Sequence, residues 1–174
     1  KPQKTVKGEI GVQQQLGDDI AVDVTVFFED FRDLTGTQSE EINVFGGASS
    51  YSRYANSDFG FSKGFIVSFE KRFSGGLATS IDYTYSVTKG NASNPADARN
   101  AILGGALPET FIAPLNWDQE HTLNVSIAYS VERDYGFSLI GNYYTGQPYT
   151  PQVNKNTNVT QNAFPRNSES KPSI

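Results

Sequence analysis

The chain has 174 residues, a net charge of −5, 19% charged residues and 13% aromatic residues. The acidic balance is unsuited to the phosphates of DNA or RNA, so no nucleic acid partner is expected. A mean hydropathy of −0.45 and the short apolar runs exclude a transmembrane helix, which needs about 20 consecutive apolar residues. They leave open a membrane barrel, because its strands alternate in polarity.

Apolar residues at every second position predict six long strands, joined in pairs by tight turns near Asp18, Gly75 and Asp134. One side of each strand carries Val, Ile, Leu, Phe or Tyr. The other side carries mainly Ser, Thr, Asn, Gln, Ala and Gly with scattered Asp and Glu. The strands are predicted over residues 5–16, 20–31, 63–73, 77–88, 121–132 and 135–145.

Long connections alternate with the tight turns, whose centres lie 57 and 59 residues apart. The segments 33–62 and 89–120 are predicted as loops, with a short helix over about 95–103 that has Asn94 as N-cap. Residues 152–174 lack periodicity and are predicted to be a mobile loop. Loops longer than about 12–15 residues are uncommon in compact soluble domains, and here they all lie at one edge of the predicted sheet.

Strand length and loop asymmetry favour a membrane barrel over a soluble sheet. The predicted strands exceed the usual globular length of about 5–6 residues and suit the roughly 9–11 residues needed to cross a bilayer at a tilt. Short turns at one edge and long loops at the other are typical of outer-membrane barrels. The predicted fold class is therefore all-β: an antiparallel up-and-down transmembrane β-barrel segment with short periplasmic turns and long extracellular loops.

Several stretches in this order resemble the C-terminal barrel of TonB-dependent outer-membrane receptors of Bacteroidetes-like bacteria. The resemblance covers most of residues 4–151. The matching stretches are NSDFGFSKGF at 56–65, FEKRFSGG at 69–76, DYTYS at 82–86, PLNWDQEHTLN at 114–124, and the region from GFS at 136–138 to GQPYTP at 146–151.

The resemblance implies a barrel of about 22 strands, plugged by an N-terminal domain, in the outer membrane of a Gram-negative bacterium. Such a receptor imports a siderophore, vitamin, glycan or peptide with energy passed from TonB. The implied partners are outer-membrane lipid, the plug domain of the same receptor, the TonB complex and the extracellular substrate. The sequence contains no plug domain, so we expect residues 1–151 to be a six-strand piece of a larger barrel and 152–174 a truncated extracellular loop.

Two sets of residues are predicted to face the protein's interior or its ligand. Asp and Glu residues that alternate onto the polar sides are expected to face the lumen: Asp23, Glu29, Glu70, Asp82 and Glu132. Loop residues are candidate contacts to ligand or plug, although for Trp117 and Asp118 a local anchor for the loop is the favoured interpretation: Arg53, Tyr54, Trp117, Asp118 and Tyr149.

Aromatic residues near both ends of the strands are expected at the membrane interface, where rings that combine an apolar body with a polar group are favoured. They are Phe73, Tyr83, Tyr85, Tyr135 and Tyr143.

Catalysis is not expected, because the chain has no Cys and a single histidine, His121. These exclude a thiolate site, a serine-type triad and a multi-histidine metal site within the chain, so no catalytic, cofactor or metal residue is predicted. Two alternatives to an active receptor stay open. One is a passive porin or an adhesion barrel, and the other is a soluble β-sandwich or small β-barrel that binds carbohydrate or lipid.

Overall fold

A computed structural model describes residues 1–44, 47–94, 96, 98–100, 112–131, 134–149, 152–154, 160–162 and 169–170. Nearly all of them are strand, and residues 98–100 are helical. Within these ranges no helix is long and apolar enough to cross a membrane. The strands, in chain order, are β1 Lys4–Leu16, β2 Ile20–Val44, β3 Gly47–Ser74, β4 Leu77–Gly90, β5 Ala113–Pro114, β6 His121–Val131, β7 Tyr135–Tyr144, β8 Pro148–Tyr149, β9 Gln152–Asn154, β10 Thr160–Asn162 and β11 Glu169–Ser170.

The six long strands form one antiparallel sheet in the order β1-β2-β3-β4-β6-β7, and β5 pairs with the end of β4. In the sheet, each long strand lies beside the long strand that comes next in the sequence, so the topology is up-and-down. Among the described residues, β1 and β7 are the outer strands and the sheet is open. The prediction of an all-β, antiparallel, up-and-down fold is confirmed.

Glycines set the two turns that join β1 to β2 and β3 to β4. Gly17 has a φ of 80°, and Gly75 and Gly76 have φ values of 60° and 83°. Side chains with a Cβ rarely adopt this left-handed region, so glycine lets the strands reverse within a few residues. The second turn is also held by Lys71, whose Nζ donates to the Ser74 and Leu77 carbonyls at 3.0 and 3.2 Å.

The segment 33–62, predicted as a loop, is instead the continuation of β2 and β3, which pair as far as Val44 and Gly47. No proline interrupts this segment, so both backbones can keep donating to the ladder. The alternation of apolar and polar residues breaks near residue 33 because of a β-bulge. Asp33 has a φ of 55° there and lies within a register shift between β2 and β3. Because β1 begins at Lys4, opposite Arg32, the hairpin beyond the bulge projects past β1.

The other two predicted loops contain more pairing than their sequence patterns indicate. Residues 152–154 pair with 160–162, and β8 pairs with β11, so 152–174 is not purely irregular. In the second connection, the Ala96 N–H donates to Asn94 Oδ1 at 2.8 Å and the Asn100 N–H to the Ala96 carbonyl at 2.9 Å. Most of the predicted helix 95–103 lies outside the described residues.

Close contact between strands depends on Gly64 in β3. A Cβ at this position would lie 2.0 Å from the Tyr85 carbonyl oxygen and 3.0 Å from the Phe27 ring. By contrast, a Cβ at Gly8 in β1 would meet nothing within 4 Å. We therefore expect Gly64→Ala to destabilise the sheet by about 1–3 kcal/mol through overpacking, and Gly8→Ala to be neutral or slightly stabilising.

Thermal unfolding of the two variants in the same detergent, followed by circular dichroism, tests this difference. Gly8→Ala is the matched control, because it adds the same methyl group to a strand of the same sheet. Equal unfolding temperatures for both variants would contradict the role given to Gly64.

Candidate functional site

Strand register collects most of the apolar residues of the six long strands on one side of the sheet, here called the apolar face. Many of these side chains are exposed within the chain, including Ile10 at 80% and Leu139 at 63%. An apolar surface of this extent is unfavourable in water and marks contact with lipid or protein. The apolar face comprises Val6, Ile10, Val12, Leu16, Ile20, Val22, Val24, Val26, Phe28, Phe61, Phe65, Val67, Phe69, Leu77, Ile81, Tyr83, Tyr85, Val87, His121, Leu123, Val125, Ile127, Tyr129, Val131, Tyr135, Phe137, Leu139 and Tyr143.

Aromatic rings cluster on the apolar face at the end nearer the long connections. Phe65 lies 5.9 Å from Tyr83 and 5.6 Å from Tyr85, measured between ring centroids, and Tyr85 lies 5.2 Å from His121. Tyr83 Oη also forms a 2.8 Å hydrogen bond with His121 Nδ1. Tyr143 lies opposite Leu123, next to this cluster.

A second group of rings lies at the opposite end of the apolar face, beside the tight turns. Tyr135 and Phe137 pack edge to face at 5.7 Å, and Phe73 is 63% exposed. Tyr143 and Tyr135 are eight residues apart on β7, about 26 Å along the strand at ~3.3 Å per residue. A tilt of about 40° reduces this to roughly 20 Å, close to the ~25 Å apolar band of outer-membrane barrels.

The opposite side of the sheet, here called the polar face, carries one rung of polar residues across all six strands. Asp23 accepts a hydrogen bond from Thr25 Oγ1 at 3.0 Å, and Asp82 accepts one from Ser80 Oγ at 3.4 Å. Such residues suit contact with water or with polar protein groups. The rung consists of Gln13, Asp23, Ser68, Asp82, Asn124 and Asn142.

The carboxylates predicted to face a lumen lie on this polar face where the structure describes them. Asp23, Glu29 and Asp82 are half-buried and Glu70 is exposed, whereas Glu132 lies outside the described residues. Lys7 Nζ lies 3.4 Å from the Glu29 carboxylate. Among the described residues, no group of three or more His, Asp or Glu is placed to hold a metal ion.

The segment before β6 is fixed against β4 by the Asp118 carboxylate. The Thr88 N–H donates to Asp118 Oδ1 at 2.8 Å, and the Leu115 N–H donates to the Thr88 carbonyl at 3.0 Å. Asp118 thereby replaces the backbone acceptor that a neighbouring strand would have supplied to Thr88. Asp118 is 3% exposed, and burial raises the pKa of its carboxyl above the ordinary value.

Leu115 completes this anchor by packing where two paired strands carry no side chain. Gly60 and Gly90 lie opposite each other in β3 and β4. A Cβ at Gly90 would lie 3.2 Å from Leu115 Cδ2, and Leu115 itself is 1% exposed. Below it, Ser62 Oγ and Thr88 Oγ1 form a 3.0 Å hydrogen bond. We call Leu115, Asp118, Thr88 and the Gly60–Gly90 pair the loop anchor.

The predicted ligand contacts fall on separate segments with different environments. Asp118 is buried in the loop anchor, where its carboxylate accepts a hydrogen bond from the Thr88 N–H. The neighbouring Trp117 is 53% exposed. Tyr54, 70% exposed, lies with Arg53 on the projecting β2–β3 hairpin, and Tyr149 is half-buried in β8.

Two features of the site are not evident from the sequence: the complete polar rung and the glycine pair beneath Leu115. Both require residues from several strands to be aligned, and the offset between strands depends on turn geometry and on bulges. The available signal was weak: glycine at positions 60 and 90, in strands that otherwise carry side chains, indicates a close approach of another group.

Comparison with known proteins gives one structural similarity. No protein-family model matches the sequence, and no curated protein matches it. Among solved structures, the chain is similar to the outer membrane transporter YddB from Escherichia coli, with a TM-score of 0.63 and 13% sequence identity. The similarity covers 91% of this chain and spans 22% of the transporter chain. The two share the fold of this segment.

Replacement of Asp118 tests the loop anchor. Asp118→Ala leaves the buried Thr88 N–H without an acceptor, so we expect a local loss of about 1–3 kcal/mol. The amides of residues 88–90 should then exchange with deuterium about 5- to 150-fold faster, as measured by mass spectrometry. Glu120→Ala, which removes an exposed carboxylate nearby, is the control and should leave this exchange unchanged.

Asp118→Asn keeps the oxygen acceptor and removes the charge. Because the folded carboxyl has a raised pKa, the anchor of the native protein weakens as pH rises from the ordinary value of about 4 through the raised one. The asparagine variant should lack this pH dependence and be at least as well protected at pH 7. Faster exchange in Asp118→Asn than in the native protein at pH 7 would contradict this assignment.

Proposed function

We propose that the chain is part of the wall of a TonB-dependent transporter in the outer membrane of a Gram-negative bacterium. The observation that carries the proposal is the apolar face: one continuous apolar surface over six strands, bounded at both ends by aromatic rings. Lipid is the partner that suits such a surface, and the polar face then borders a wet lumen.

A single sheet layer supports the membrane location over a soluble sandwich. A β-sandwich buries its apolar face under a second sheet about 10 Å away. In the described part of the chain, no second layer covers the apolar face, and Ile10, Val12 and Leu139 are more than 60% exposed. The outer strands β1 and β7 would be paired with further strands of the closed barrel, because a bilayer does not tolerate unpaired strand edges.

Active import is the proposed activity, for two reasons. The sequence resembles TonB-dependent receptors over most of its length, and the structurally similar protein is described as an outer membrane transporter. The polar rung through Asp23 and Asp82 would face the plug domain and offer it hydrogen-bond acceptors. The proposed substrate is a siderophore, vitamin, glycan or peptide, held from outside by the projecting hairpin with Arg53 and Tyr54 and by Trp117 and Tyr149. The role is binding and passage rather than catalysis.

Single cysteines test the proposed orientation, because the native chain contains none. In cells that express the full-length protein, Tyr54→Cys on the projecting hairpin should react with a membrane-impermeant maleimide. Val24→Cys, in the middle of the apolar face, should react only after denaturation, because lipid covers it. Labelling of Val24→Cys in intact cells at the rate of Tyr54→Cys would rule out a lipid-facing apolar face.

Uptake measurements separate active import from passive diffusion. Cells expressing the full-length protein should accumulate its nutrient, chosen by growth on candidate siderophores, vitamins, glycans and peptides. Accumulation should cease when TonB is deleted or when the proton gradient is collapsed. Uptake that continues unchanged without TonB would identify a passive porin instead.

A further inference from the structure

Four cations lie on the apolar face at its loop end, one on each of the strands β1 to β4. Lys4 lies directly opposite Arg32. Lys63 lies opposite Val87, and Lys89 is two residues further along β4, so the two lysines are diagonal neighbours. Diagonal positions on one face are about 7–8 Å apart, within reach of long side chains. We call Lys4, Arg32, Lys63 and Lys89 the basic row.

The basic row lies at the loop end of the apolar face, beside its last apolar residues Phe28, Phe61 and Val87. The rung next to it, towards the tight turns, contains Phe65, Tyr85 and His121. Along β3, the next cation on this face is Lys71, at the turn, and only Phe65, Val67 and Phe69 lie between Lys63 and Lys71 on the same side. The cations are thus placed at a boundary rather than scattered over the face.

The charge of the basic row is opposite to that of the whole chain. The chain has a net charge of −5, yet among the described residues of these rungs the one carboxylate is Asp30, which accepts a 2.6 Å hydrogen bond from Arg32 Nε. Off the rungs, the Asp118 carboxylate interacts electrostatically with Lys89. Lys4 and Lys63 are exposed and Lys89 is half-buried. Among the side chains that the structure describes, Lys4, Lys63 and Lys89 form no ion pair.

From this arrangement we infer that the basic row binds the phosphate groups of lipids in the outer leaflet, an inference that rests on the proposed membrane location. The lysine stems can lie along Phe65 and Tyr85 while their ammonium groups reach up to the headgroup level. Two ammonium groups at diagonal positions can donate to one phosphate. The acyl chains of the same lipid then cover the apolar face below.

A phosphorylated lipid fits this surface better than a free phosphate does. The basic row is open to solvent on one side and continuous with the apolar face on the other. An amphiphile can therefore place its phosphate on the cations and its acyl chains on the apolar face at the same time. A free phosphate ion would gain only the electrostatic attraction to the cations, and this attraction is screened at physiological salt.

The test uses the full-length protein in detergent, with phosphatidic acid as the probe, phosphatidylcholine as the uncharged comparison, and retained lipids counted by native mass spectrometry. The native protein should retain phosphatidic acid in preference to phosphatidylcholine. The double variant Lys63→Gln/Lys89→Gln should bind phosphatidic acid about 25-fold more weakly, at about fivefold per cation removed. Arg99→Gln removes an exposed cation on the helical residues 98–100, outside the strands of the sheet, and is the control, expected to bind as the native protein does.

A charge-retaining variant, Lys63→Arg/Lys89→Arg, should keep most of the binding and shows that loss in the glutamine variant is not a folding defect. Equal weakening in Arg99→Gln and in the double glutamine variant would overturn the proposal, because it would show non-specific attraction. Full competition by millimolar inorganic phosphate would also overturn it, since a free anion would then suffice. Native binding in the double variant, with the cysteine labels still in the expected orientation, refutes the lipid site alone and leaves the membrane location standing.

Discussion

Backbone pairing between long antiparallel strands is the constraint on which the rest of this structure depends. Once each N–H and C=O is committed to a neighbouring strand, side chains must alternate between two sides, and the register decides which residues become neighbours. Here the register brings most of the Val, Ile, Leu, Phe and Tyr residues of the six strands to one side, while Phe27, Phe31, Ile66, Ile140 and Tyr144 lie on the other. The polar rung on the other side, the aromatic ends and the basic row follow from the same alignment.

The loop anchor shows how an irregular segment is attached to so regular a sheet. Backbone beside a strand edge must satisfy the groups that a full strand would have satisfied. The segment before β6 does this with one side chain, since Asp118 accepts from Thr88 where no backbone carbonyl is available. The paired glycines at positions 60 and 90 leave the space that Leu115 fills. A carboxylate with a raised pKa and two residues without side chains therefore fix the base of a long connection.

The strand pattern was predictable from sequence because period-two alternation is a local property. All six predicted strands agree with the observed strands to within about three residues at one end or both, and the glycine turns lie where the composition indicates them. The extension of β2 and β3 to Val44 and Gly47 was missed, because the bulge at Asp33 shifts the alternation and hides the continuing pair. Asp118 was ambiguous for a different reason: an exposed ligand contact and a buried cap use the same residue type, and only burial separates them.

The sequence by itself determined the all-β class, the pairing of strands by tight turns, and the separation of apolar from polar residues, since each depends on neighbours within a few positions along the chain. The tertiary structure decided which residues face each other across strands. It assembled one rung from Gln13 on β1 through Asn142 on β7, set Leu115 over a glycine pair, and aligned four cations from four strands at one edge of the apolar face. Those relations join residues far apart in sequence, and a shift of one residue in any register would move the side chains of that strand to the opposite face.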